Sequence, residues 1–388
     1  MLWLSYSLRN LLARRMTSAL TLIGLSLVIF VLTAVLMLAH GLERTLASTG
    51  QADNALILRK GTTLEISSSV YRDQARIILT QPEIAVDARG MPLGTGEFVV
   101  LIAMRKLGGS VGNVMLRGTS PEAITLRPQV RLTQGRWWQP GTDEIVIGAQ
   151  IAKEFPSARI GTSQRIGKRD WRIVGIFDAG RSGFDSEVWG DAEQFLPLFG
   201  RTAFTSVIAK VRDGPAFESL RQRLETDRRL LLQVKRERDY YNEKSARLAA
   251  FIRSVGLALT TIFSVGAILG ATMTMSGAVA SRVGEIGTLR ALGFLRSHIL
   301  FAFLSESVIL GCCAGVLGVL TASLLQHITI SVLNWSTFSE LAFEFRLSPA
   351  IAGSGFLFAI VMSVCGSVLP AVRAARLGVI DALGARTL

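Results

Sequence analysis

Apolar positions in this chain collect in four long blocks, residues 20–39, 255–280, 299–325 and 350–369. A run of about 18 or more apolar residues with few charges is long enough, as a helix, to cross the hydrocarbon core of a bilayer. The first, second and fourth blocks carry no charge, and the third carries one acid, Glu306. The pattern predicts four transmembrane helices. The first block also fits the apolar part of a signal peptide, with Arg9, Arg14 and Arg15 on its flank. It is longer than the usual core of about 7–15 residues, which favours an uncleaved anchor.

Between the first and second blocks the pattern changes. Short runs rich in β-branched residues and bounded by Gly and Pro predict strands at 55–59, 98–104, 114–117, 144–148, 164–166, 171–177 and 206–211. Helical spacing runs over 67–79, with serines ahead of it to cap it and Pro82 beyond it to stop it. Pro215 opens a second helical stretch with Phe217, Leu220 and Leu224 on one face, and 230–234 reads as a strand. From residue 238 the pattern is helical and polar, without Gly or Pro until Gly256, and runs into the second span. This predicts either one continuous helix or a short kinked linker at 253–256, with the continuous helix favoured. The fold class is therefore a four-helix membrane protein with a large extracytoplasmic α/β domain. Its parts are an N-terminal stretch and first span (1–40), the outer domain (41–250), and three further spans (251–388) with a loop at about 281–298.

Charge sets the orientation. The chain has 388 residues and a formal net charge of +13. Residues 1–18 hold three Arg and no acid; 281–298 hold Arg282, Arg290 and Arg296 against Glu285; 371–388 hold Arg373, Arg376 and Arg386 against Asp381. The loop between the third and fourth spans has Glu340 and Glu344 against Arg346. Short loops rich in Lys and Arg remain cytoplasmic, so both termini and 281–298 are expected inside and the α/β domain outside. In the middle of the chain basic and acidic residues are interleaved without a basic stripe, which argues against a nucleic-acid partner. Cys312, Cys313 and Cys365 all fall in spans, so no disulfide is expected in the outer domain.

Catalytic and metal signatures are not found. His40, His298 and His327 lie near span ends, and no H-E-x-x-H, C-x-x-C or G-x-S-x-G occurs. Gly167-Lys168-Arg169 is the nearest approach to a phosphate loop, but Thr162 stands where that loop needs Gly and Arg169 where it needs Ser or Thr. No catalytic residue, metal ligand or bound cofactor is expected in this chain; ATP with magnesium, if used, would be bound by a partner.

The inner loop reads SRVGEIGTLRALGF from Ser281. Ile286, Leu289 and Leu292 recur at helical spacing, and Arg282, Glu285 and Arg290 supply charge. On spacing alone this is either an ordinary positive-inside loop or an amphipathic segment lying on the membrane or in a partner's groove. Together with Leu289-Arg290-Ala291 and Gly293, the element Phe303–Glu306, Gly311, Gly315 and Gly318, and the ending Leu369-Pro370-Ala371, Arg373-Ala374-Ala375-Arg376 and Asp381-Ala382-Leu383, it resembles the permease subunits of MacB/FtsX-type ABC transporters. The order of one span, a large outer domain and three spans is similar too. The resemblance implies a permease without a fused ATPase domain, in a bacterial inner membrane, working as a homodimer with a separate ABC ATPase subunit and, in part of the family, a periplasmic adaptor. It implies coupling of ATP hydrolysis in the partner to movement of the periplasmic domain, for export or extraction of a periplasmic or outer-leaflet substrate. It assigns ATPase coupling to Arg282, Glu285, Ile286, Leu289, Arg290 and Gly293.

Glu306 is expected either as a polar contact between helices or as an acid satisfied by Arg282, Arg296 or water. Gly266 with Gly270, and Gly311 with Gly315, form two G-x-x-x-G spacings that suit close helix packing, within one chain or between two. Membrane lipid is the remaining partner. Transmembrane signalling to cell-wall hydrolases is the alternative inside the family. Outside it, a membrane sensor would need a cytoplasmic output domain, and an ion-coupled transporter would need intramembrane acids besides Glu306.

Overall fold

The structure, a computed structural model, describes residues 15–105, 110–155, 157–333 and 340–378. The N-terminal stretch with Arg9 and Arg14, and Asp381-Ala382-Leu383 with Arg386, lie outside the described residues. The chain divides into two compact units: one gathers residues up to His40, Ala250–Ile328 and those from Glu344 onward, and the other Gly41–Ala249 with Thr329–Phe343.

Helix α1 (Arg15–Ala47) is followed by β1 (Asn54–Arg59), α2 (Arg72–Leu79), β2 (Gly94–Arg105), β3 (Val111–Thr119), α3 (Glu122–Leu126), β4 (Arg131–Gly135) and β5 (Glu144–Gly148). Next come α4 (Ala149–Glu154), β6 (Ser163–Ile166), β7 (Arg169–Asp178), β8 (Glu187–Asp191), α5 (Ala192–Leu198), β9 (Ser206–Lys210), α6 (Gly214–Thr226) and β10 (Leu232–Arg236). The chain then forms α7 (Glu237–Ala280), α8 (Val283–Ala291), α9 (Arg296–Ser323), a hairpin of β11 (Thr329–Leu333) and β12 (Glu340–Glu344), and α10 (Pro349–Arg376). Helix α7 is one uninterrupted helix, as the absence of Gly and Pro before Gly256 implied.

In the α/β unit the strands run β10-β1-β9-β2-β3-β8-β5-β7-β4, with β6 on β7. Strand β2 belongs to both halves of this path. Its Gly94–Glu97 stretch pairs with β9, and its Phe98–Arg105 stretch pairs with β3. One half is covered by α2 and α6, which bury Ala75, Ile78, Phe217, Leu220 and Leu224 against Ile57, Val207 and Val234. The other is covered by α4 and α5, which place Ile151, Phe195 and Leu196 against Phe98, Leu116, Ile147 and Trp171.

Three local expectations shift. The 67–79 helix begins only at Arg72, because residues 65–67 form a tighter turn. Ser68 Oγ accepts the Arg59 N–H at 2.9 Å instead of capping the helix. The strand expected at 230–234 is displaced to Leu232–Arg236 because Leu231 adopts φ +49, a turn conformation that ends pairing. Strands β4 and β8 have no counterpart in the pattern. Elsewhere α6 starts as its sequence requires, with Asp213 Oδ1 accepting the Ala216 N–H at 2.7 Å and Pro215 in the first turn.

In the other unit α1, α7, α9 and α10 are the four helices long and apolar enough to cross a membrane among the described residues. Small residues set their spacing. A Cβ added to Gly311 would lie 2.9 Å from Ser363 Cβ, and one at Gly315 2.8 Å from Phe356, both on α10. Gly318 is similarly closed by Ile29 of α1, and Gly366 by Ala271 of α7. Leu25, Val28 and Ile29 pack with Ala314, Ala359 and Met362 to form one buried cluster of this unit.

Candidate functional site

The inner loop folds as α8, with Arg282 immediately before its first turn. It ends at Gly293, whose φ of +93° lies in the region that favours glycine. The Phe294 N–H reaches Leu289 O at 3.2 Å, and the Gly293 N–H reaches Arg290 O at 3.1 Å. This is the helix-ending pattern in which a left-handed glycine lets the chain turn back and satisfy the last carbonyls. Leu289, Arg290, Gly293 and Phe294 together build one helix stop. Arg290 Nη1 adds a bond to Phe294 O at 3.1 Å.

The structure distributes the predicted coupling residues over different environments. Ile286 is buried, packed with Met275, Val279, Ile299, Phe303 and Ala374 of the helical unit. Leu289 is partly buried and Glu285 is exposed, while Leu292, the third residue of the expected apolar face, is 73% exposed. Glu285 and Leu289 line an open groove with Arg282, Phe294, His298 and Glu306. Arg282 Nη1 donates to Glu306 Oε2 at 3.0 Å, so the inner loop is tied to the third span by a buried ion pair. Of the partners expected for Glu306, the structure selects Arg282. The two glycine pairs separate: Gly311 and Gly315 are filled by α10, whereas Gly266 and Gly270 meet nothing within 4 Å.

A second constellation, in the α/β unit, has no counterpart in the pattern. Arg117 donates to Glu65 at 2.9 Å, to Glu97 at 2.7 Å and to Glu187 at 2.7 Å. Arg127 donates to Glu97 at 2.6 Å and to Glu237, the first residue of α7, at 2.9 Å. Ser206 and Thr119 hydroxyls, the Trp189 indole N–H, the Asn54 amide and the Gln51 backbone N–H supply further donors to the carboxylates. The Phe184 ring lies 5.3 Å from one guanidinium and 4.6 Å from the other. All six charged side chains are buried. Burial alone would raise the Glu97 carboxyl, but Arg127 and Arg117 hold it down to about 2. The cluster joins β2, β3, β8 and the root of α7.

Among the described residues no group of three His, Cys, Asp or Glu side chains is arranged to hold a metal. Gly167 (φ +60°) and Lys168 form the turn between β6 and β7.

Residues 18–227 match the model of the MacB-like periplasmic core domain, and 257–379 match the FtsX-like permease C-terminal model. The chain belongs to the MacB/FtsX family of ABC transporter permeases. The permease is 24% identical to the macrolide export ATP-binding/permease protein MacB of Bdellovibrio bacteriovorus, over 97% of its own length and 60% of the relative's. It is 26% identical to the ABC transporter permease YknZ of Bacillus subtilis over 61% of its length and 60% of the relative's. It thus spans about 60% of each of these relatives. Among solved structures, the extracellular domain of YknZ from Gram-positive bacteria aligns at 13% identity and a TM-score of 0.38, over 47% of this chain and 99% of that domain. The periplasmic region of MacB from Actinobacillus actinomycetemcomitans aligns at 14% and 0.39, over 49% and 91%. At these scores the family rests on the two domain models.

Proposed function

We propose that this permease is the membrane subunit of an inner-membrane ABC transporter and that a separate ATPase subunit docks on α8. ATP and magnesium are bound by that partner, and this chain is not itself a catalyst. Closing of the ATPase pushes α8, which the Arg282–Glu306 pair links to the third span. The outer α/β domain then moves against a substrate taken on the outer side of the membrane, for export or extraction. A homodimer accounts for α7, of whose most apolar stretch only 11% is buried inside the chain, and for the open Gly266 and Gly270.

The observation that carries this reading is the division of α8 into two faces. Ile286 anchors the helix inward, while Glu285, Thr288 and Leu292 are exposed. A charged and apolar exposed face on a short, anchored helix suits a protein groove. Affinity purification of the full chain in mild detergent tests it. An ABC ATPase is expected to co-purify and to gain turnover in the complex. Glu285→Lys and Leu292→Ala are expected to insert normally but lose the ATPase, each by about tenfold or more in affinity. Full binding and turnover in both variants would remove α8 as the coupling element.

A further inference from the structure

Helix α10 leaves one of its faces uncovered. Gly355, Ala359, Ser363, Gly366 and Pro370 are buried on its inner side. Leu357, Val361, Cys365 and Leu369 recur every four residues on the opposite side, and all of them are exposed. Arg373 and Arg376 continue the same line in the last turn of the helix, and both are exposed as well. A side chain four residues on lies on the same face, about 6 Å further along the axis. The face is thus apolar for about 18 Å, from Leu357 to Leu369, and then ends in two guanidiniums.

Among the described residues neither Arg373 nor Arg376 has a hydrogen-bond or ion-pair partner. Gly311 meets Ser363 and Gly315 meets Phe356, so α9 and α10 run antiparallel, and the exposed Arg296 comes to the same end of the unit. Arginines at a helix C-terminus complement its dipole, and they mark a cytoplasmic end. Neither role requires them to prolong an exposed apolar line. That arrangement matches the shape of a phospholipid. A run of about 18 Å is close to the depth of one leaflet of a hydrocarbon core about 30 Å thick, and a guanidinium can hold a phosphate through two parallel N–H donors. At the other end of the bundle α9 exposes Leu320 near its C-terminus but has no basic residue in its last turn. It offers the acyl-chain surface without a partner for the headgroup.

We propose that this face of α10 is a binding surface for an anionic phospholipid of the cytoplasmic leaflet. Arg373 and Arg376 hold the headgroup phosphate, and the line from Leu369 to Leu357 lies along an acyl chain. A zwitterionic lipid carries the same phosphate, but its own ammonium competes for it, so the surface selects a net negative headgroup. The site requires no ATPase and stands apart from the coupling role proposed for α8.

Quenching by brominated lipids tests this. Replacing Cys312 and Cys313 by Ala leaves Cys365 as the sole cysteine, on the proposed surface and about 12 Å along the helix from Arg373. The full chain, labelled there with bimane, is reconstituted into phosphatidylcholine bilayers with increasing amounts of dibrominated phosphatidylglycerol or dibrominated phosphatidylcholine. Bromine quenches on contact, so the two titrations give the relative affinity of the two headgroups at this face. Phosphatidylglycerol is expected to be preferred about fivefold or more. Arg373→Gln with Arg376→Gln should bring the ratio close to unity, whereas Arg373→Lys with Arg376→Lys, which keeps the charge, should retain a preference. The same label at Leu320→Cys, with all three native cysteines replaced by Ala, should give a ratio close to unity. The parent and the Leu320→Cys control need no arginine variant, so they decide the matter even if the Gln pair fails to fold. Equal quenching by the two lipids at Cys365, an equal preference at Leu320→Cys, or a preference that survives the Gln pair would each overturn the proposal. Quenching by neither lipid would show that protein covers this face, and would overturn it too.

Discussion

The buried cluster of the α/β unit holds two guanidiniums and four carboxylates, and each of these carboxylates has at least two donors. The helical unit holds Arg282 and Glu306 together by one bond of 3.0 Å. Both place charge out of water, where the desolvation cost is repaid only by good geometry and full hydrogen bonding. The first arrangement is over-determined: no single partner can leave without stranding a charge already fixed by others. The second is minimal, and Arg282 precedes a short helix rather than sitting in a sheet. A many-membered cluster resists rearrangement, and a single pair can be exchanged. That difference suits a rigid outer domain and a movable inner loop.

The sharpest attempt to break the comparison is Arg127→Met, which leaves Glu97 and Glu237 buried without their shared guanidinium. A loss of about 3–5 kcal/mol is expected, read from thermal unfolding of the full chain in detergent through the fluorescence of buried Trp171 and Trp189. An unchanged midpoint would mean that the cluster does not hold the domain.

Asp185 sharpens it from within the same unit. Burial pushes its carboxyl up to about 6, opposite in direction to Glu97, and the Ala179 N–H that it accepts pulls it back only in part. Its protonated form is favoured in the fold, so its contribution is fully present below about pH 4, the usual carboxyl range, and is lost as the pH rises through about 6. Asp185→Asn is therefore expected to match the parent near pH 4 and to exceed it above pH 6, by up to about 3 kcal/mol. Melting curves across pH 4–8 measure this, and a gain that does not depend on pH would point to packing instead.

The smallest effect is expected at the minimal pair. Glu306→Gln keeps an acceptor for Arg282, and the long arginine side chain can shift its head toward water. Stability should fall by about 1 kcal/mol, measured by the same melt. A loss as large as that of Arg127→Met would erase the distinction between the two sites.

These sites were unequally legible in the sequence. The four spans were plain because length and lack of charge suffice to mark them. Gly293 and the charged residues around it were visible as a motif, although the helix stop that Gly293 makes was not. The buried cluster was not, because Glu65, Glu97, Arg117, Arg127, Glu187 and Glu237 are scattered and each resembles an ordinary surface charge. Strand β8 escaped for the same reason: its sequence EVWGD carries two acids, yet all five residues are buried because Arg117 and Asp191's own bonds to Gly141 and Glu193 satisfy them. The two G-x-x-x-G spacings were indistinguishable until α10 was seen to fill one of them.

The shared strand β2 has a consequence for how the α/β domain comes into being. The half formed by β3, β5, β7 and β8 is built from a contiguous stretch of chain, whereas β1 needs β9 and β10, which lie far along the sequence. Closing so long a loop is slow, since its entropy is lost before any contact rewards it. On a ribosome, β1 emerges early and has no sheet to join until residues beyond 206 are made. The middle of the domain is thus the natural place for order to begin. The first strand to be synthesised is among the last to be paired, and β2, already held on one side by β3, offers its free stretch as the template on which β9 closes the domain.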